Sequence, residues 1–308
     1  LADNNTITLK SVSRAGATSF SYSTDSGTTW NSFLLSNGAI ETITTLASGD
    51  TLMLKGSNIT LGSNYNNGHY FRGTADYEVE GNVMSLLDDT SGNTLGGGSY
   101  NFAMLFSGDT HLVSAENLVM ADNTTNNCYN GMFRSCTSLT KPPKVLPAET
   151  VYECSYSSMF EGCTSLTEMP NINATTVNRQ GMQRMFCMKR TGSTSCQLTT
   201  LKPLHVTSFV GTGDTYSANQ QLYQMFMGNA SLTTVPSNML PATTLVAGCY
   251  YSMFYNCTNL TTAPELPATT LASNCYYSMF EGCTSLTTAP ELPATTLAQY
   301  CYMNMFIN

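Results

Sequence analysis

The sequence predicts a leucine-rich-repeat solenoid, with one short parallel strand and one short helix in each repeat, preceded by a small antiparallel β-sandwich domain. Residues 275 to 300, CYYSMFEGCTSLTTAPELPATTLAQY, repeat residues 249 to 274 almost letter for letter. A unit this short cannot bury its own apolar positions, so the copies must stack and form a core with their neighbours. The first 70 residues show instead the period-two alternation that is typical of strands.

A Met-Phe pair marks most copies of the repeat. We number the repeats 1 to 8 by their phenylalanine, which is Phe106, Phe133, Phe160, Phe186, Phe226, Phe254, Phe280 or Phe306. Successive phenylalanines are 26 to 28 residues apart, except for 40 residues between Phe186 and Phe226. The pattern predicts about eight repeats over residues 99 to 308, one of them irregular.

Spacing within a repeat indicates its local structure. Leu271, Cys275 and Met279 are four residues apart, which predicts a short helix with these side chains on one face, and LTTAP predicts the strand. One column, three residues after the phenylalanine, holds Cys136, Cys163, Cys257 and Cys283, with Asn229 in repeat 5. Such a column is typical of a buried ladder in leucine-rich repeats, so we expect free, buried thiols there.

The amino-terminal part divides into two segments. Residues 1 to 70 contain four to six alternating runs separated by turn signals such as Asp25-Ser26-Gly27, which predicts the small β-sandwich. Residues 71 to 98 are interpreted as a bridge or cap. Trp30 is interpreted as a core or strand-edge aromatic in preference to a carbohydrate platform.

Composition excludes several classes of protein. The chain has a net charge of -8, only 10% charged residues and no Lys or Arg after Lys202, which disfavours nucleic acid and anionic membranes as partners. No run of 18 apolar residues exists, so we expect no transmembrane segment. The chain begins at Leu1, which is compatible with a removed leader and export.

Motifs for catalysis are missing from the sequence. His69, His111 and His205 have no partner at a catalytic or metal-binding spacing, and neither a nucleophile elbow nor a phosphate-binding loop occurs. Asp88 and Asp89, with Asn93 nearby, are interpreted as a solvated turn because a full set of calcium ligands is absent. We therefore expect no enzyme activity, no cofactor and no bound metal.

The repeat also resembles a known family. The motif F-x-G-C-T-S-L, followed by L-P and a return to M-F, is similar to the surface repeats of the BspA-like, Treponema-type family. The front end, YSTDSGTTW through SGDTLMLKG to EGNVMSLL, resembles the module that accompanies such repeats in gut Bacteroidales. The resemblance implies an exported cell-surface or secreted protein, outer-membrane anchored through a lipid on its removed leader, that adheres to host or bacterial proteins. The repeats here are about three residues longer than is usual in that family.

Three functions remain open at this point. The first is a non-enzymatic adhesion scaffold that recognises a host extracellular or bacterial surface protein through the repeats. The second is a glycan-binding surface module, and the third is a structural spacer. Parallel binding screens against extracellular-matrix proteins and glycans separate them, because a spacer binds neither.

Two surfaces are candidates for binding. The column three residues before the phenylalanine contains Tyr223, Tyr251 and Tyr277, which predicts a stripe of exposed tyrosines on consecutive repeats. The alternative is that these tyrosines only pack on one another. The competing surface is the sheet face, whose outward column is Lys141, Glu168, Thr200, Thr234, Thr262 and Thr288.

Cys187 and Cys196 form a candidate disulfide. Both lie in the irregular repeat, outside the register of the cysteine ladder, at the ends of the loop CMKRTGSTSC. In an oxidising compartment they could close that loop.

Overall fold

A computed structural model describes residues 5–12, 18–58, 61–62, 68–87, 92–188, 196–211, 213, 215 and 219–308. Within these residues the regular structure consists of thirteen strands and one turn of 3-10 helix, and no α-helix is present.

The front of the chain contains two antiparallel sheets of three strands each. The first has the order β4-β1-β6, with β1 at Asn5–Ser11, β4 at Ile40–Leu46 and β6 at His69–Gly73. The second has the order β3-β2-β5, with β2 at Thr18–Ser23, β3 at Asn31–Leu35 and β5 at Met53–Gly56. Alternate residues of β1 are buried, because the pleat sends them to one face.

The predicted turn at Asp25-Ser26-Gly27 connects β2 to β3. Ser26 and Gly27 both have left-handed φ values, of 56° and 85°. The Asp25 carboxylate accepts hydrogen bonds from the hydroxyl and the backbone N–H of Thr29. These bonds favour the ionised carboxylate, so they lower the pKa of Asp25 to about 2.

A parallel pair of strands connects the front sheets to the repeats. Strand β7, Tyr77–Asn82, pairs with β8, Leu112–Val119, and the 3-10 turn Val83–Leu86 follows β7. Asp109 is fully buried, and its carboxylate accepts hydrogen bonds from the Tyr77 hydroxyl and from the backbone N–H groups of Gly73, His111 and Leu112. This carboxylate therefore ties β6 and β7 to the start of β8.

The repeats contain only very short strands. Strands β9 (Val145–Leu146) and β11 (Asn171–Ile172) pair in parallel, as do β10 (Thr150–Val151), β12 (Thr176–Val177) and β13 (Ser208–Phe209). In later repeats the pairing is reduced to single parallel bridges, such as Thr244 with Thr270 and Thr262 with Thr288. The LTTAP segment is therefore a bridge position and not a strand.

The segment predicted as a helix is a ribbon of successive turns. In repeat 7 the N–H groups of Cys275, Tyr277, Met279, Glu281 and Cys283 each donate to the carbonyl three residues earlier. The N–H groups of the residues between them, Asn274, Tyr276, Ser278, Phe280 and Gly282, donate to carbonyls of repeat 8. Alternating local and inter-repeat bonds satisfy the backbone without an α-helix.

Left-handed residues maintain this ribbon. In repeat 7 they recur every fourth residue, at Asn274 (φ 57°), Ser278 (φ 51°) and Gly282 (φ 75°). A left-handed residue ends an α-helical turn. For a residue other than glycine, this backbone conformation costs roughly 1–2 kcal/mol, because the Cβ atom approaches the following carbonyl oxygen. The inter-repeat hydrogen bonds offset that strain. The prediction of a leucine-rich-repeat solenoid with a helix in each repeat is therefore wrong. The description of the chain as a leucine-rich-repeat protein is wrong for the same reason.

A continuous stack of phenylalanine rings forms the centre of the core. Neighbouring ring centroids are 5.2–5.8 Å apart, and the nine stacked residues are Phe71, Phe106, Phe133, Phe160, Phe186, Phe226, Phe254, Phe280 and Phe306. Phe71 belongs to β6, and its N–H donates to the Leu105 carbonyl over 2.8 Å. The stack therefore begins in the front sheet and runs through all the repeats.

Candidate functional site

The cysteine column is a structural feature of the repeats. The thiols of Cys136, Cys163, Cys257 and Cys283 each donate to the carbonyl of the phenylalanine in the preceding repeat, over 3.0–3.2 Å. Asn229 replaces a thiol by donating its Nδ2 to the Phe186 carbonyl over 3.1 Å. Both side chains thus supply a small buried donor to the same kind of carbonyl.

Cys187 and Cys196 are both free thiols, so the predicted disulfide is absent from the structure. The Cys196 thiol donates to the Cys187 carbonyl over 3.0 Å. Cys196 lies near enough to Cys163 and Cys257 to contribute to the raised pKa of each. Burial raises the pKa of Cys196 to about 12, so its thiol stays protonated and unreactive at neutral pH.

The three tyrosines of the predicted stripe lie together on one face. Tyr251 and Tyr277 stack with ring centroids 4.6 Å apart, and Tyr223 and Tyr251 are tilted against each other at 5.4 Å. All three are half-buried, and Asn304 donates its Nδ2 to the Tyr277 hydroxyl over 3.3 Å. The rings therefore do pack on one another, and each still presents part of its surface to solvent.

The neighbouring column confirms which way the ribbon faces. The residues four before each phenylalanine are fully buried in repeats 2 to 7, and they are Tyr129, Tyr156, Met182, Leu222, Tyr250 and Tyr276. The tyrosine stripe is one residue further along, so it lies on the outer side. Tyr255 and Met227, each four residues after a stripe position, are also half-buried.

Charged groups occupy the same side in the earlier repeats. The Glu161 carboxylate, which is 3% exposed, lies 3.6 Å from the Arg134 guanidinium and 3.4 Å from that of Arg184. Arg184 also donates to the Gln224 side chain over 2.8 Å. The outer side thus changes from ion pairs in repeats 2 to 4 to tyrosines in repeats 5 to 7.

The competing sheet face is also formed. Its column of Lys141, Glu168, Thr200, Thr234, Thr262 and Thr288 points outward, with Glu168 half-buried and the others exposed. Lys141 and Glu168 form an exposed ion pair at 3.2 Å, and the remaining four residues carry no charge. Neighbouring hydroxyls, such as that of Thr261, donate to carbonyls of the preceding repeat. Much of this face therefore stabilises the stack itself.

The remaining sequence candidates have structural explanations. Trp30 is half-buried, and the Lys55 ammonium lies 3.8 Å above its ring, so that face of the indole is covered. His69 is buried between Thr18 and Leu61. Asp88 and Asp89 lie outside the described residues. Across the part of the chain that is described, no group of three or more His, Cys, Asp or Glu residues is placed to hold a metal ion.

One groove was not predicted from the sequence. A cavity of about 510 Å³ is lined by Asp122, Asn123, Pro147, Glu149, Thr150 and Tyr152. The signal that could have found it is a departure from the repeat. Asp122 and Glu149 are eleven residues before their phenylalanines, where repeats 4 to 8 all have threonine.

No protein-family model, curated protein or solved structure matches this chain. Its relation to BspA-like surface proteins therefore stays a prediction from the residues. No helix in the described ranges is long and apolar enough to cross a membrane.

Proposed function

We propose that this chain is a non-enzymatic binding scaffold at the cell surface, and that it recognises a protein partner through Tyr223, Tyr251 and Tyr277. The observation that supports this most strongly is the arrangement of three half-buried tyrosines, each partly open to solvent, on consecutive repeats. Tyrosine offers a large contact area, a hydroxyl group and a small loss of side-chain entropy, which is why it is enriched at the centres of interfaces.

The stacking of the rings favours binding in a second way. Each ring is already fixed by its neighbours, so less side-chain entropy is lost when a partner binds. The entropic cost of binding is therefore lower than for isolated tyrosines. The absence of Lys and Arg after Lys202 leaves a surface that binds by area and hydrogen bonds and not by net positive charge.

An exported location fits the state of the cysteines. Ten of the eleven thiols are buried, and only Cys154 is half-buried. Burial raises the pKa of Cys154 to about 11. Protonated, inaccessible thiols resist oxidation, so the repeats tolerate an oxidising compartment. Attachment through a lipid on a removed leader is part of the same proposal and follows from the family resemblance alone.

The test is a binding screen against immobilised extracellular-matrix proteins, run beside a glycan array. For any protein that binds, replacing Tyr251 and Tyr277 with Ser should weaken binding at least about tenfold, as expected for truncated hot-spot residues. The matched control replaces Thr262 and Thr288 with Ala in the same two repeats, which should change binding less than about twofold.

Three results would contradict this proposal. Loss of binding in the threonine variant alone would assign the site to the sheet face. Binding to glycans only would favour a glycan-binding module, and silence in both screens would favour a spacer. Since the tyrosines are half-buried, the unfolding midpoint of each variant is measured first, so that weaker binding is not confused with unfolding.

A further inference from the structure

We propose that the outer face of repeat 8, the side that points away from repeat 7, binds a turn ribbon with the sequence of these repeats on a separate polypeptide. This face lies at the end of the stack and not on the tyrosine stripe of repeats 5 to 7. The proposal therefore goes beyond the function proposed above and does not depend on it.

Hydrogen bonds between neighbouring ribbons run in one direction. In repeats 1 to 7, alternate N–H groups donate to carbonyls of the next repeat, as Phe280 donates to Met305 over 3.0 Å. The corresponding N–H groups of repeat 8 belong to Tyr300, Tyr302, Asn304 and Phe306. None of these four has an acceptor in the part of the chain that is described. The outer face of repeat 8 therefore presents a row of backbone donors at every second residue.

Two aromatic stacks reach the same face. Phe306 stacks on Phe280 with ring centroids 5.8 Å apart, and Tyr302 stacks on Tyr276 at 5.7 Å. Phe280 and Tyr276 are each 1% exposed, because a neighbouring ring covers each of their two faces. Phe306, by contrast, is 39% exposed, and Tyr302 is half-buried. Each ring of repeat 8 thus has one covered face and one that is open to a further ring.

An apolar depression lies between these rings and the end of the ribbon. Its volume is about 470 Å³, and it is lined by Leu292, Tyr302, Asn304, Met305, Phe306 and Ile307. None of these six side chains is charged. Ile307 is 52% exposed and Leu292 is 40% exposed, so burying this face removes apolar surface from water, which is favourable. The lining favours an uncharged partner with apolar side chains.

The front sheets cover the opposite end of the stack with the matching groups. Phe71 places its ring on Phe106 and donates its N–H to the Leu105 carbonyl. The Arg72 guanidinium donates to the Ser107 carbonyl. Repeat 1 thus receives a ring and hydrogen-bond donors, because its outer face presents carbonyls. Repeat 8 presents donors, so its cover must bring a ring and carbonyls.

This chemistry selects the occupant. A row of donors needs a row of acceptors, which the carbonyls at every second residue of a polypeptide supply. A symmetric dimer would place the same face of two copies together, and donors would then meet donors. The carbonyl end of a second copy is already covered by its own front sheets. A ribbon of the repeat type supplies both the carbonyls and the rings, and so continues the interface that repeat 8 makes with repeat 7.

The experiment uses the full chain and a fluorescent peptide with the sequence of residues 271–284, LASNCYYSMFEGCT, in reducing buffer. In the chain this segment accepts hydrogen bonds from repeat 6 through the carbonyls of Ser273, Cys275, Tyr277, Met279 and Glu281. Fluorescence anisotropy should show saturable binding. A control peptide with alanine in place of Tyr276 and Phe280 keeps the carbonyls and lacks the two rings. It should bind at least about tenfold more weakly.

Matched variants of the chain locate the binding face. Tyr302→Ala with Phe306→Ala removes both open rings and should weaken peptide binding at least about tenfold. The control, Leu297→Ala with Tyr300→Ala, removes exposed apolar side chains of the same repeat that do not line the depression. It should change binding less than about twofold. The unfolding midpoint of both variants is measured first, so that unfolding is not read as weaker binding.

Hydrogen exchange of the unmodified chain gives a result that no variant can disturb. A hydrogen-bonded amide is protected from exchange with solvent. Saturating peptide should therefore slow exchange at the N–H groups of Tyr302, Asn304 and Phe306 at least about fivefold. The amides of strand β1 should keep their exchange rates, because β1 belongs to the front sheets.

Four outcomes would overturn the proposal. The absence of saturable binding would show that the face does not accept a further ribbon. Equal binding of the alanine peptide, or equal weakening by the two double variants, would mean unspecific apolar contact. Unchanged exchange at the three amides would place the peptide elsewhere. A dimer of the chain alone that dissociates in Tyr302→Ala with Phe306→Ala would assign the face to a second copy.

Discussion

His69 shows how a single side chain couples stability to pH. Its Nε2 accepts from the Thr18 hydroxyl over 2.7 Å, and its Nδ1–H donates to the Leu61 carbonyl, so the neutral ring is satisfied inside the front sheets. Burial lowers the pKa of His69 below its ordinary value of 6.5. Its contribution to stability is therefore present above pH 6.5 and is lost as the pH falls through the folded-state pKa.

Urea unfolding at pH 7.5, 6.5 and 5.5 tests this. The free energy of unfolding should decrease toward acid, and His69→Gln should flatten that decrease even if it lowers stability at every pH. The control is His205→Gln, at an exposed histidine, which should keep the original pH dependence. An unchanged slope in His69→Gln would show that other groups cause the effect.

The cysteines give a second prediction for single residues. All eleven are free in the structure; ten are buried and Cys154 is half-buried. A thiol reagent should modify at most one cysteine in the native protein and all eleven in denaturant under non-reducing conditions. Nine thiols in denaturant would indicate the Cys187–Cys196 disulfide after all.

At the scale of the elements, the sequence predicts the buried face and misassigns the backbone. Leu271, Cys275 and Met279 do share a side, because the turn ribbon repeats every four residues, close to the 3.6 of an α-helix. The turn ribbon differs from an α-helix in the left-handed φ values of Asn274 and Ser278. The spacing of hydrophobic residues does not predict these φ values. Strand β1, by contrast, coincides with the alternation from Thr6 to Val12, since a period of two has no close competitor.

Gly282 tests the turn ribbon directly. Its φ is 75°, and an added Cβ would lie 2.0 Å from Asn256 Oδ1. Gly282→Ala should therefore lower the free energy of unfolding by more than the roughly 1–2 kcal/mol that a left-handed backbone alone costs. Gly96→Ala is the control, because no atom lies within 4 Å of its Cβ position and its backbone is not left-handed. Equal effects of the two substitutions in chemical denaturation would contradict the turn ribbon.

At the scale of the whole molecule, the phenylalanine stack joins the front sheets to the repeats. Phe71 is 4% exposed, and its ring stacks on Phe106 at 5.7 Å. Phe71→Ala should destabilise the protein by about 3–5 kcal/mol, the usual range for a buried phenylalanine. It should also separate the unfolding of the front sheets from that of the repeats, because the two share this contact.

Calorimetry and denaturant titration measure that coupling. The unmodified chain should unfold with the two parts coupled, and Phe71→Ala should broaden or divide the transition. Leu34→Ala, at a side chain that is 63% exposed, should leave the transition unchanged. A sharp single transition at lower stability in Phe71→Ala would mean that Asp109 and the β7–β8 pair suffice for coupling.

The groove and the tyrosine stripe differ in how far the sequence predicts them. The repeat register places Tyr223, Tyr251 and Tyr277 in one column, because identical spacing stacks identical positions. The groove needed a second kind of information, since Asn93 lies outside the repeats and reaches Asp122 only in the folded chain. Contacts between segments of different period are the part that spacing alone does not predict.

The central structural claim is that the repeats stack through turn ribbons and short parallel bridges without α-helices. Far-UV circular dichroism of the full chain measures this most directly, because a helix in each of eight repeats would dominate the spectrum. The structure predicts a spectrum of strands and turns that lacks the paired minima of α-helix. A clear helical spectrum in native buffer, lost on unfolding, would contradict it.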